Sequence, residues 1–220
     1  MDVIFIFEII GAVAFALSGA FVAIQRRLDY FGIVVLALIT AVGGGMLRDI
    51  ILGITPPHMF RDPVYCLTAV VMAMLVILVN HFEHLELKEQ QQKLLRKIVL
   101  IFDAMGLSIF SIVGVEIALT KTSDNMFLAV FVGVLTGIGG GILRDMMAGR
   151  TPLVLRKEIY ALASLLGCVL FYYMRMAASE SLSMYVSVAL IFVIRLYAVI
   201  HGVNLPQVNR GAANARRQRH

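Results

Sequence analysis

The chain has 220 residues, of which 60% are apolar and only 15% charged, and its mean hydropathy is +0.89. That balance excludes a disordered chain and an ordinary water-soluble domain; repeated apolar stretches of about 20 residues mean transmembrane helices. The net charge of +5 is read as a record of membrane topology, and no nucleic-acid partner is expected.

The first apolar run, Val3 to Ile24, carries Glu8 one to two turns in. Ala12, Ala16 and Ala20, spaced by four, offer a smooth face for close helix packing. Met1-Asp2 supplies no positive n-region and Arg26-Arg27 follow the run, so it reads as a span rather than a signal peptide. The second span runs from Phe31 to Gly53 and holds Gly43-Gly44-Gly45-Met46-Leu47-Arg48-Asp49. Pro56-Pro57 stop it. The third covers Val64 to Phe82. His81 to Lys97 is polar with mixed charges, a linker with room for a short surface helix. The fourth span, Ile98 to Leu119, contains Asp103, and Thr120 to Asn125 is a turn. The fifth, Met126 to Ala148, repeats the motif as Gly139-Gly140-Gly141-Ile142-Leu143-Arg144-Asp145 and ends at Gly149-Arg150-Thr151-Pro152. The sixth is Glu158 to Met174, and the seventh, Met184 to Ile200, contains Arg195. The tail from Asn204, with Arg210, Arg216, Arg217 and Arg219, is expected to be disordered.

The two halves match. At a shift of 95, Glu8 meets Asp103, Gly11 meets Gly106, Gly19 meets Gly114 and Tyr65 meets Tyr160; at 96, the glycine triplets, Arg48/Arg144, Asp49/Asp145, Thr55/Thr151 and Pro56/Pro152 match. One residue inserted in the second half reconciles the shifts. Each unit has three spans, so the second starts on the opposite side of the membrane and the repeats are inverted. The predicted fold is an all-α integral membrane protein of seven transmembrane helices, two inverted three-helix repeats plus a seventh helix. Residues 1–82 form repeat 1, 83–97 a polar cytoplasmic linker, 98–176 repeat 2, 177–203 the seventh helix and 204–220 a basic cytoplasmic tail. With the N-terminus outside, Arg26, Arg27, Lys88, Lys93, Arg96, Lys97, Arg150, Arg156, Lys157 and the four tail arginines fall on one side, against Arg61, Lys121 and Arg175 on the other. Thirteen against three places the C-terminus in the cytoplasm, for a multi-pass protein of the cell (inner) membrane.

Three glycines in a row are costly in a helix, about 1 kcal/mol each relative to Ala. In lipid a break is tolerated only where freed backbone is buried in protein or lines a wet cavity. Gly43 lies about 18 Å into its span and Gly139 a similar distance into the opposite-running one, so both breaks are expected near the midplane. Arg48-Asp49 then lies towards the outside and Arg144-Asp145 towards the inside. Adjacent residues on a helix face different ways, so the expected partner of Arg48 is Glu8, and that of Arg144 is Asp103. The predicted pathway has an outer layer (Glu8, Arg48, Asp49), an inner layer (Asp103, Arg144, Asp145) and a neck of exposed carbonyls at Gly43, Gly44, Gly45, Gly139, Gly140 and Gly141. Carbonyls and carboxylates replace a cation's hydration shell while arginines set barriers. The bland alternative is that the glycines only permit close packing and the ion pairs only lock helices. Arg195 reads as a structural or gating charge, and Glu116 as interfacial.

No other motif carries chemistry. The triplets lack the spacing and preceding strand of a dinucleotide fingerprint, and there is no P-loop or triad. His81-Phe82-Glu83-His84 lacks a third zinc ligand. Cys66 and Cys168 read as buried single thiols. No enzyme activity, metal or cofactor is expected.

The doubled Gly-Gly-Gly-x-x-Arg-Asp, on two three-helix repeats with a seventh helix, resembles the bacterial and archaeal trimeric intracellular cation (TRIC) channels over about residues 3 to 202. The resemblance implies a homotrimer with a pore in each protomer, lined by kinked second and fifth spans, and passive conduction of monovalent cations, mainly potassium. Permeant potassium or sodium and bound membrane lipid are the small partners it implies. It carries over Gly43 to Gly45, Arg48, Asp49, Gly139 to Gly141, Arg144 and Asp145; Glu8 and Asp103 come from depth and repeat symmetry. Animal members have a Lys-Glu-Val motif tied to voltage and phosphoinositide sensing, which this chain lacks. The same family has been labelled a glycine transporter, so a secondary transporter of a small solute such as glycine is the alternative.

Overall fold

The computed structural model describes residues 3–83, 89–122, 125–156 and 158–202. Within them the chain is helical without strands: α1 (Val3–Gln25), α2 (Tyr30–Ile51), α3 (His58–Arg61), α4 (Val64–Glu83), α5 (Glu89–Lys121), α6 (Met126–Met147), α7 (Leu153–Arg156), α8 (Glu158–Ala177) and α9 (Glu180–His201). Seven of these contain stretches long and apolar enough to cross a membrane. The expected tail, Lys157 and His84 lie outside the described residues.

Local chemistry sets the ends. Asp29, Asn125 and Ser179 each accept a hydrogen bond from a backbone N–H three residues on, capping α2, α6 and α9. The Ser179 cap, with Glu180 in the first turn, starts α9 four residues before the expected Met184. The fourth span begins earlier too: α5 runs unbroken from Glu89, so part of the expected linker is helical. Its sequence Glu89-Gln90-Gln91-Gln92-Lys93-Leu94-Leu95-Arg96-Lys97 is rich in helix formers without Gly or Pro. After α2 and α6 the chain turns at Gly53 (φ 65°) and Gly149 (φ 62°). There Ile54 N–H bonds Asp49 O and Arg150 N–H bonds Asp145 O, the six-residue closure that a left-handed glycine permits. The short helices α3 and α7 that follow were not foreseen, since four residues leave no hydropathy signal.

One expectation is overturned. α2 and α6 are helical straight through their glycine triplets, and five of the six glycines are buried. They form no open neck. A Cβ on Gly44 would strike the Thr136 carbonyl oxygen, and one on Gly140 the Thr40 carbonyl oxygen. Gly43 faces Leu143, and Gly139 faces Leu47 at 3.1 Å from where its Cβ would stand. As the position on α2 advances, its partner on α6 recedes: the two helices cross antiparallel, backbone against backbone. Gly44 and Gly140 are there because the helix–helix approach leaves no room for side chains, and that close packing replaces the water-lined break.

The same two-fold relation recurs between α1 and α5. A Cβ on Gly11 would meet the Phe110 ring and one on Gly106 the Phe15 ring, and those rings touch each other at 5.3 Å between centroids. α4 packs on α1 and α2, and α8 packs on α5 and α6; α9 lies mainly against α5 and α8, with Tyr185 also meeting Phe7 of α1 at 5.4 Å between ring centroids.

Candidate functional site

Each expected charged residue lies in one of two clusters. In the first, Arg48 donates from Nη1 to Glu8 Oε1 (3.4 Å) and from Nε to Asp49 Oδ1 (2.8 Å). Glu8 also accepts from the Tyr65 hydroxyl (2.6 Å). Asp49 Oδ2 accepts from the backbone N–H of His58 (2.8 Å) and lies 3.1 Å from its Nδ1, so it anchors the start of α3. A narrow cleft runs beside these groups, lined also by Gly45, Val42 and Phe110.

In the second, Arg144 donates from Nη1 to Asp103 Oδ1 (2.7 Å) and to Ser18 Oγ (2.5 Å), and from Nε to Asp145 Oδ1 (2.9 Å). Tyr160 donates to Asp103 Oδ1 (3.3 Å). Asp145 also binds Arg150, 2.7 Å from Nη2, and accepts from Leu153 N–H (2.9 Å) at the start of α7. Burial pushes the Arg150 guanidinium below its usual range, and Asp145 beside it pulls the other way; an arginine stays charged under such opposition. The side chains of Asp103, Arg144 and Asp145 are fully buried.

The pairs Arg48/Glu8 and Arg144/Asp103 form as depth and repeat symmetry suggest. The expectation that Arg48 and Asp49 would not pair is wrong, and so is its counterpart for Arg144 and Asp145. These residues sit in the last turn of their helices, where the arginine stem is long enough to bring Nε back beside the next side chain. Sequence reasoning missed Ser18, His58 and Arg150, which no periodicity marks. It saw Tyr65 and Tyr160 only as repeat partners; their matched spacing to Glu8 and Asp103 was the available signal. Glu116, near the end of α5, is 2% exposed and held by Arg175 Nε at 3.2 Å, and Arg175 bonds Glu180 as well. Cys66 is half-buried and Cys168 buried; both are free thiols. Among the described residues no three His, Cys, Asp or Glu side chains are grouped to hold a metal.

A family model described as "Glycine transporter" matches residues 5–81 and 100–176. The inner membrane protein YadS of Escherichia coli (strain K12) is 37% identical over 202 residues, 90% of this chain and 93% of its own length. A membrane protein of Vibrio cholerae is 35% identical over 93% of this chain and 82% of its own. The TRIC trimeric intracellular cation channel orthologue from Rhodobacter sphaeroides aligns in structure with a TM-score of 0.83 at 32% identity, over 92% of this chain and all of that one. The chain belongs to the TRIC channel family. A prokaryotic TRIC channel solved in 0.5 M KCl aligns equally well, with a TM-score of 0.83, 32% identity and coverage of 92% of this chain and 98% of that one. Both inverted repeats and the seventh helix are therefore TRIC architecture, and the two charged clusters lie inside it.

Proposed function

We propose that this chain is a passive channel for monovalent cations, potassium foremost, and not an enzyme. It works as a homotrimer in the inner membrane with its N-terminus outside, and each protomer holds its own pathway between α1, α2, α5 and α6. One observation carries this reading: two repeat-related clusters of carboxylate and guanidinium lie on opposite sides of the α2–α6 crossing in a TRIC-family chain. Charges this deep in a membrane protein mark ion paths far more often than they mark packing. Glu8 and Asp49 beside the first cleft supply the anionic oxygens that a dehydrating cation needs, and Arg48 restrains them. In the conformation described, the crossing is closed. Gly44 and Gly140 meet the opposite backbone there with Leu47 and Leu143 at the flanks, so a shift of α2 against α6 that moves these two leucines exposes the helix carbonyls. The family description "Glycine transporter" does not favour a carrier over a channel.

The test is single-channel current in planar bilayers under a potassium gradient, comparing wild type with Asp49→Asn and Asp145→Asn. Discrete openings that reverse near the potassium potential, altered by either substitution, are expected. Openings indifferent to both substitutions would remove the clusters from the path. Silence from purified, folded trimer would turn attention to saturable uptake of a small solute such as glycine.

A further inference from the structure

Arg195 is a charge in this core that the repeat does not explain. It is the sixteenth residue of α9, a helix outside both repeats, and it is 2% exposed. An arginine this deep ordinarily reaches water along its stem or pairs with a carboxylate. Arg195 makes no such pair. Its Nε has no hydrogen-bond partner, and no described carboxylate pairs with it. Its guanidinium carbon lies 4.6 Å from the centre of the Tyr160 ring, the geometry of a cation–π contact. Tyr160 in turn gives its hydroxyl to Asp103, which binds Arg144. A continuous line of contacts thus runs from α9 through α8 and α5 to the motif arginine on α6. In the first repeat the ring of Tyr65 meets Phe5 instead, at 6.3 Å between centroids.

The consequence is a difference in sign. The first cluster sets the two carboxylates of Glu8 and Asp49 against one guanidinium, Arg48, with the imidazole of His58 as its remaining partner. The second sets Asp103 and Asp145 against Arg144, Arg150 and Arg195, one positive charge in excess. Without Arg195 the second cluster would be neutral. Burial weakens the screening that would hide such a charge at the surface.

We infer that Arg195 limits conductance: it places a fixed positive charge behind Tyr160, so that the second-repeat end of the pathway repels the cations that the first-repeat end attracts. The inference rests on the proposed cation pathway. It makes the second cluster the rate-setting barrier and the current–voltage relation asymmetric.

The experiment compares Arg195→Gln, Arg195→Met and Arg195→Lys, reconstituted as full-length trimers, by single-channel conductance in symmetric potassium chloride. Arg195→Gln is expected to raise potassium conductance by about twofold or more and to flatten the asymmetry. Arg195→Met, whose apolar stem suits the span, gives the same answer should Gln prevent folding. Arg195→Lys keeps the charge and is expected to stay near wild type. Equal changes in Lys and in the neutral variants would assign the effect to packing and overturn the inference. So would a fall in conductance, or no change, in Arg195→Gln. If folded wild type carries no potassium current, the channel reading falls and this inference with it; currents that are present but indifferent to charge at Arg195 sink the inference alone.

Discussion

The two charged clusters stand at repeat-related positions, yet one is gripped and the other is not. Arg144 holds Asp103 at 2.7 Å, Ser18 at 2.5 Å and Asp145 at 2.9 Å, with no exposed surface. Arg48 holds Asp49 as tightly but reaches Glu8 only at 3.4 Å, and the Glu8 side chain is 13% exposed along the cleft. The differences trace to single positions. Where α1 offers Ser18 to Arg144, the repeat places Val113 on α5. Asp103 is one methylene shorter than Glu8. The second carboxylate anchor is Arg150 in one half, while the equivalent position in the other is Ile54 and the anchor there is His58. The inverted repeat supplies a common skeleton, and the residues that do not match decide which side is sealed.

The largest test of that contrast is loss of each arginine. Arg144→Ala leaves two buried carboxylates short of their main counter-charge and is expected to cost about 3–5 kcal/mol, the range for breaking a buried pair from one side. Arg48→Ala leaves Glu8 with Tyr65 and Asp49 with His58, and the partly exposed Glu8 is the less costly group to leave unpaired, so about 1–2 kcal/mol is expected. Thermal unfolding of the detergent-solubilised protein reads the difference; equal losses would show that the two clusters are gripped alike.

How much of this was legible follows from which interactions are periodic. Glu8, Arg48, Asp103 and Arg144 could be paired from sequence because rise per residue gives depth, and inversion carries one pair onto the other. The seven spans followed from hydropathy for the same reason. Ser18, His58 and Arg150 were invisible because they act across helices, from a four-residue helix and from a turn, where spacing holds no information. The glycine triplets were read as a break because propensity in an isolated helix disfavours them. The cost is met by tertiary contact: Gly44 and Gly140 let the carbonyls of Thr136 and Thr40 come where a Cβ would stand. A single sequence does not show which helix lies opposite, so it could not separate a wet break from a dry crossing. Arg195 was visible as a buried charge, but its contact with Tyr160 needed the placement of α9.

An exchange of side chains sharpens the comparison further. Ser18→Val takes from Arg144 Nη1 one of its two partners in a fully buried site and is expected to cost about 1–3 kcal/mol, the penalty of an unmet buried polar contact. Val113→Ser, the reverse change in the other half, offers Arg48 a hydroxyl it lacks. It is expected to leave stability within about 1 kcal/mol of wild type and to reduce access of a membrane-impermeant thiol reagent to a cysteine placed at Glu8. If Val113→Ser leaves that labelling untouched while Ser18→Val is costly, the open side does not owe its openness to the missing hydroxyl.

The smallest effect is the most local. Gly45 and Gly141 fill the same position in the two motifs, third in each triplet, and both face their own arginine rather than the crossing. A Cβ at Gly45 would find nothing nearer than Arg48 Nη2 at 3.6 Å, an ordinary contact. At Gly141 it would stand 2.9 Å from the Tyr160 hydroxyl and 3.4 Å from Asp103 Oδ1, inside the sealed cluster. One methyl group therefore reads the packing of each side directly. In a helix Gly→Ala gains about 1 kcal/mol where nothing opposes it, so Gly45→Ala is expected to raise the unfolding temperature of the protein slightly. Gly141→Ala must shift Tyr160 from its bond to Asp103, and overpacking of about 1–3 kcal/mol outweighs the same gain. Opposite signs at two positions that the repeat makes equivalent would locate the asymmetry in the side chains around the glycine. Matching signs would locate it in the backbone, where the two halves of the motif are alike.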